Sequence, residues 1–146
     1  MDSCQNAGVA IHENRTPLLR CLLRQRLGRL VIQPERLAQR LVEGELVVVI
    51  GRKCKHLDRD NALSAVFGYT IGNDVSERDW QRTDLQWLRA KASDTFGPMG
   101  PAIVTGLDHN DLLVQSRVNG EVRQTGRTSD LIFDVETIVS YVSKYV

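Results

Sequence analysis

Glu43 and Glu45 stand two positions apart at the head of the run ELVVVIG, a spacing that sends both side chains to one face of a strand. Adjacent like charges repel unless a proton or a cation separates them. Carboxylate oxygens are hard ligands suited to Mg²⁺, Mn²⁺ or Ca²⁺, and an all-oxygen set without paired His or Cys speaks against zinc. Asp74, within GYTIGNDVSERD, can join the two glutamates from the end of a neighbouring strand. Arg78, Asp79 and Gln81 follow on a helical turn and offer a cation and polar donors beside that carboxylate. Each residue also has a plainer reading. An ExE pair at a strand start is ordinarily solvated, Asn73 and Asp74 suit a turn or cap, Arg78 suits a surface ion pair, and Lys91 suits a lysine lying along the surface.

The elements that must position these residues are only partly legible. ELVVVIG, rich in β-branched residues and closed by Gly51, reads as a strand buried on both faces. Asp60 is placed to cap a helix through Ala62, Leu63, Ala65 and Val66 that Gly68 stops, and YTIGNDV then alternates like a strand. ERDWQRTDLQWLRAK has helical character, and FGPMGP forces a loop before an apolar AIV strand. LLVQSRV and EVRQTGRT flank Asn119-Gly120, a strong hairpin signal because both turn residues tolerate positive φ. Asp134 can cap a last helix with Ile138, Val139 and Val142 on one face. Upstream, Leu18, Leu19, Leu22, Leu23 and Leu27 recur at helical spacing, and Pro34 opens a second short helix to about Val42. Strands interspersed with single helices predict a strand-rich α+β fold.

Bulk properties add little. Nineteen basic side chains against 18 acidic ones leave a formal charge of +1, which suggests neither a nucleic-acid surface nor a binder of acidic lipid. Arg15, Arg20, Arg24, Arg26 and Arg29 do cluster, but without the interleaved aromatic residues that stack on bases. Cys4, Cys21 and Cys54 lack CxxC spacing and fit reduced thiols in a cytoplasmic protein. No apolar run approaches the ~20 residues needed to span a bilayer.

The ordered series EGELVVVIGR, GYTIGNDVSERDWQ, QWLRAKASDTFGPMGPAIVT and VNGEVRQTGRTSDLIF resembles the central part of the fumarylacetoacetate hydrolase family, over roughly Glu43 to Val146. The resemblance divides the chain into a divergent, Arg-rich segment over residues 1–42 and a partial catalytic domain over 43–146. It implies a fold of mixed β-sheets or a β-roll with a few short helices. It further implies Glu43, Glu45 and Asp74 as ligands to Mg²⁺ (Mn²⁺ or Ca²⁺ being alternatives), Arg78 and Gln81 as substrate contacts, and Lys91 as the catalytic cation. The implied chemistry is carbon–carbon hydrolysis, decarboxylation or isomerisation of a small 2-oxo acid or 1,3-dicarbonyl compound through a metal-stabilised enolate. The implied assembly is a homodimer, with no nucleic-acid or membrane partner.

The sequence departs from the family pattern at both ends. Family hydrolases activate water with a His and a Glu from an N-terminal lid; here His12 and Glu13 are the only adjacent pair, in surroundings that do not match. The PGD segment and TGTP-like loop that follow the equivalent of Tyr145 are not in the sequence. The implied fold is therefore incomplete, and a catalytically inactive remnant of the family is the competing reading. His56 and His109 read as ordinary loop residues.

Overall fold

A computed structural model describes residues 7–12 and 40–146. Its strands are β1 (Ala7–His12), β2 (Arg40–Ile50), β3 (Val66–Glu77), β4 (Leu113–Val118) and β5 (Glu121–Arg127). Its helices are α1 (Arg78–Thr83), α2 (Leu88–Ala92) and α3 (Val135–Val142). The strands form a three-stranded sheet in the order β1-β4-β5 and a two-stranded sheet, β2-β3, and every ladder is antiparallel. The strand-rich α+β architecture is the one expected. The leucine-rich helix, the arginine cluster, Cys4 and Cys21 lie outside the described residues.

β3 organises the molecule. One of its faces carries Tyr69 and Ile71 into two packed clusters, Ile71 with Leu112 and Val114, and Tyr69 with Ala62, Val135 and Val139. Leu112 is 1% exposed, a burial that contributes about 1.5–3 kcal/mol. The opposite face carries Gly72, Asp74 and Ser76. Along the edge of β3 away from β2, Tyr69 N donates to Val104 O at 2.9 Å, Gly100 N to Ile71 O at 3.0 Å and Asn73 N to Pro98 O at 3.0 Å. Gly68 permits this approach, since a Cβ there would stand 2.6 Å from Val104 O.

Several local expectations are corrected. Arg40–Val42 belong to β2 and not to a helix, because they pair with Glu77, Ser76 and Val75 and so extend the long ladder. The strand is not buried on both faces: Leu46 to Val49 are half-buried and Ile50 is exposed. The helix expected after Asp60 is a single 3₁₀ turn, Ala62–Ala65, and Asp58 rather than Asp60 holds its start by accepting from Asn61 N at 2.9 Å. Gly68 does not stop it but lies inside β3, where the close pass of Val104 requires it.

The segment after Glu77 resolves into two short helices, with Asp84 between them held by Arg89 Nε at 2.9 Å and Nη2 at 2.7 Å. Of the AIV stretch, only Val104 pairs, through an isolated bridge to Tyr69. Asp134 does cap α3, accepting from Thr137 N at 2.9 Å, but Val135 and Val139 are the buried positions while Ile138 and Val142 are exposed. The Asn119-Gly120 hairpin forms as expected, with φ of 53° and 88°. Among the described residues no helix is long and apolar enough to cross a membrane.

Candidate metal and substrate site

The register of the β2–β3 ladder sets the acidic residues. Glu43 lies opposite Asp74 and Glu45 opposite Gly72, so three carboxylates project from one face over two adjoining strands. Asp74 sits within β3, three residues before its end, and not at the terminus. Gly72 is required there by close packing, since a Cβ at this position would lie 2.8 Å from Val47 Cγ2.

Cations come from the two helices that follow β3. Glu77, fully buried at the strand's end, accepts from Asp79 N at 3.3 Å and starts α1. Arg78 on its first turn donates from Nη2 to Glu43 Oε1 at 3.2 Å and from Nη1 to Gln81 Oε1. Lys91 on α2 reaches back across the site. Its ammonium contacts Asp74 Oδ2, donates to Ser76 Oγ at 3.0 Å and lies 3.9 Å from Glu43 Oε2. Asp79, weighed with Arg78 and Gln81 as a polar neighbour, instead pairs with Arg82 on the outer side of α1.

The electrostatics match a crowded acidic surface. Partial burial, then the charges of Asp74 and Glu43, raise the Glu45 pKa above the ordinary glutamate value, and Lys91 opposes them. Among the described residues no group of three or more His, Cys, Asp or Glu is gathered closely enough to hold a metal ion as it stands. The ammonium of Lys91 lies instead between Asp74 and Glu43. The donor set nonetheless suits a hard cation: the oxygens share a face, and Glu45 still feels its acidic neighbours with Lys91 in place.

All six residues singled out for chemistry, Glu43, Glu45, Asp74, Arg78, Gln81 and Lys91, thus fall on β2, β3, α1 and α2 around one face. Ser76 was missed. Strand alternation, which puts positions 72, 74 and 76 on that face, could have found it. His109 is not an ordinary loop residue: it is buried on the far side of β3, with Nδ1 3.0 Å from Tyr69 Oη and Nε2 3.5 Å from Glu136 Oε1. His56 is exposed with a positive φ of 53°. His12 lies in β1, whose backbone alone is described, and Glu13 lies outside the described residues.

Comparison with known proteins follows the same lines. Residues 25–146 match the fumarylacetoacetate (FAA) hydrolase C-terminal family. A human mitochondrial oxaloacetate tautomerase is 47% identical over 109 residues, which cover 71% of this chain and 35% of that protein. A 5-carboxymethyl-2-hydroxymuconate delta-isomerase from Mycobacterium smegmatis superposes with a TM-score of 0.74 at 50% identity, over 76% of this chain and 44% of the other. A fumarylacetoacetate hydrolase from the psychrophile Exiguobacterium antarcticum does so with a TM-score of 0.72 at 46% identity, over 75% and 40%. The chain spans less than half the length of each of these proteins. With a match over most of its length and these relatives, the chain belongs to the fumarylacetoacetate hydrolase family.

Proposed function

We propose that this chain carries the cation- and substrate-binding part of an enzyme that acts on small 2-oxo acids or 1,3-dicarbonyl compounds by isomerisation, decarboxylation or carbon–carbon hydrolysis. The observation that carries this reading is the convergence of Glu43, Glu45 and Asp74 on one face with Lys91 set among them. Relatives that tautomerise oxaloacetate, isomerise a hydroxymuconate and belong to the hydrolases support the substrate class.

In this reading Glu43, Glu45 and Asp74 hold a divalent cation, with Mg²⁺ the first choice and Mn²⁺ or Ca²⁺ the alternatives. When bound, that cation supplies electrophilic pull on the oxygens of the substrate. Lys91 stabilises the negative charge that develops on an enolate oxygen, the task for which a preorganised ammonium in a partly desolvated site is suited. Ser76, bonded to the Lys91 ammonium, fixes its direction. Arg78 binds the substrate carboxylate through its guanidinium fork, and Gln81, bonded to Nη1, holds the fork's plane. A homodimer follows from the same family reading, and sedimentation of the purified protein tests it.

The deciding experiment titrates Mg²⁺ into the purified chain by calorimetry and assays oxaloacetate tautomerisation and acylpyruvate cleavage with and without the ion. Saturable binding with cation-dependent turnover is expected. No affinity and no turnover would overturn the proposal and favour the inactive remnant.

A further inference from the structure

Gly44, between the two glutamates, turns its amide and carbonyl off the edge of β2 that faces away from β3. Its partner Asn73 likewise sends its own amide outward, to Pro98 O at 3.0 Å. The groups of Gly44 are met by a side chain from the other sheet. Gly44 N donates to Gln124 Oε1 at 2.6 Å, and Gln124 Nε2 donates to Gly44 O at 3.0 Å.

A primary amide presents its acceptor oxygen and, on the same side, one of its two N–H donors, so Gln124 meets the amide and the carbonyl of Gly44 together, as one residue of a further strand on β2 would. Its orientation is fixed by Ser116 Oγ, 2% exposed, which donates to the same Oε1 at 2.7 Å. Ser116 and Gln124 are cross-strand partners in the β4–β5 hairpin, next to the register shift between Ser116 and Arg117. Irregularities of this kind re-aim a side chain.

From this we infer that Gln124, held by Ser116, is a positioning residue for the acidic site: it pins the peptide from which Glu43 and Glu45 project and so fixes the separation of their carboxylates. The inference rests on the cation reading of the acidic triad. Neither Gln124 nor Ser116 touches the carboxylates, and the effect passes entirely through the Gly44 backbone. No other standard side chain of this length presents both an acceptor and a neutral donor. Glutamate would set a carboxylate oxygen against Gly44 O, and asparagine is one methylene too short to span the gap.

The test is calorimetric titration of Mn²⁺ into the full chain, with thermal melts alongside. Gln124→Met keeps the volume and removes both bonds; Ser116→Ala removes only the bond that orients the amide; Val139→Ala, on α3, is a destabilised control in the core cluster on the sheet face opposite the acids. Gln124→Met is expected to weaken Mn²⁺ binding about 10- to 100-fold at a temperature where the variant is fully folded. Ser116→Ala should weaken it less but in the same direction, and it decides the matter if Gln124→Met does not fold. Val139→Ala should melt lower yet bind as the parent does. Unchanged affinity in the folded Gln124 and Ser116 variants, with only lowered melting, would reduce the pair to a sheet-joining role and overturn the inference. If the parent itself binds no Mn²⁺, the cation reading falls and this inference with it, an outcome distinct from parent binding that the substitutions leave intact.

Discussion

Lys91 and Asp74, 17 residues apart on different elements, form an ion pair that a third group, the Ser76 hydroxyl, steadies at 3.0 Å from the ammonium. The lysine that reads as a surface residue in sequence is thereby drawn over the sheet face that carries the acids. Its contact with Glu43 at 3.9 Å makes it the shared counter-charge of both strands.

Lys91→Ala is therefore expected to lower oxaloacetate turnover about 10²- to 10³-fold, the usual cost of removing one preorganised charge-stabilising group. Cation affinity should survive, because the three carboxylates remain. Steady-state kinetics and titration on the same preparation check the two halves of this expectation.

Mg²⁺ should raise the melting temperature of the parent, with about 2.7 kcal/mol of added stability at a hundredfold excess over Kd. Glu45→Gln should lose most of that gain. Protons compete with the cation for Glu45, and its pKa is raised by partial burial and by Asp74 and Glu43. As pH falls through that raised value the Mg²⁺-induced shift should disappear, at a higher pH than an ordinary glutamate would dictate. Lys91 opposes the rise, so in Lys91→Ala the loss should begin at a still higher pH. Melting curves with and without Mg²⁺ across pH 4–8, a range about the ordinary glutamate value, measure both effects.

Asp134 gives a second pH signature, remote from the site. The hydrogen bond to Thr137, then the Arg59 guanidinium, lower its pKa to about 2. A carboxyl depressed in the fold contributes stability that is complete above its unfolded value, about 3.9, and is lost as pH falls through its folded value. Asp134→Ala should melt below the parent at pH 7, and the difference should shrink as the pH is lowered from about 4 toward 2. Asp134→Asn, which still caps but carries no charge, should fall between them.

Tyr69→Phe should cost about 1–3 kcal/mol in urea unfolding, because it strips a buried histidine nitrogen of its partner. The bond is the 3.0 Å contact between Tyr69 Oη and His109 Nδ1, with both residues under a tenth exposed. An unchanged midpoint would show that water replaces the hydroxyl.

Features encoded by a few adjacent residues were legible in the sequence. Asn119-Gly120 specifies its turn through two positive φ angles, and Asp134 caps α3 across a single turn. The pairing of Glu43 with Asp74 was not readable from spacing, since periodicity gives the face of a strand but not its register. The family motifs nominated those acids; the ladder shows how they meet. Gly68 misled because its role is set by Val104, far along the chain, and a glycine required by close approach looks in sequence like one that ends a helix. His109 was passed over for the same reason, since its partners Tyr69 and Glu136 come from a strand and a helix on either side of it in the chain.

The pairing of β1 with β4, Ala7 against Val118 and His12 against Leu113, has a consequence for how the chain is made. During synthesis β1 leaves the ribosome about a hundred residues before its partner, and closing so long a loop is among the slow steps of folding. β4 also carries Ser116, which orients Gln124 on Gly44. The acidic strand can therefore emerge and pair with β3 early while its other edge waits for the hairpin, so that the two glutamates acquire this support only once β4 and β5 have been translated.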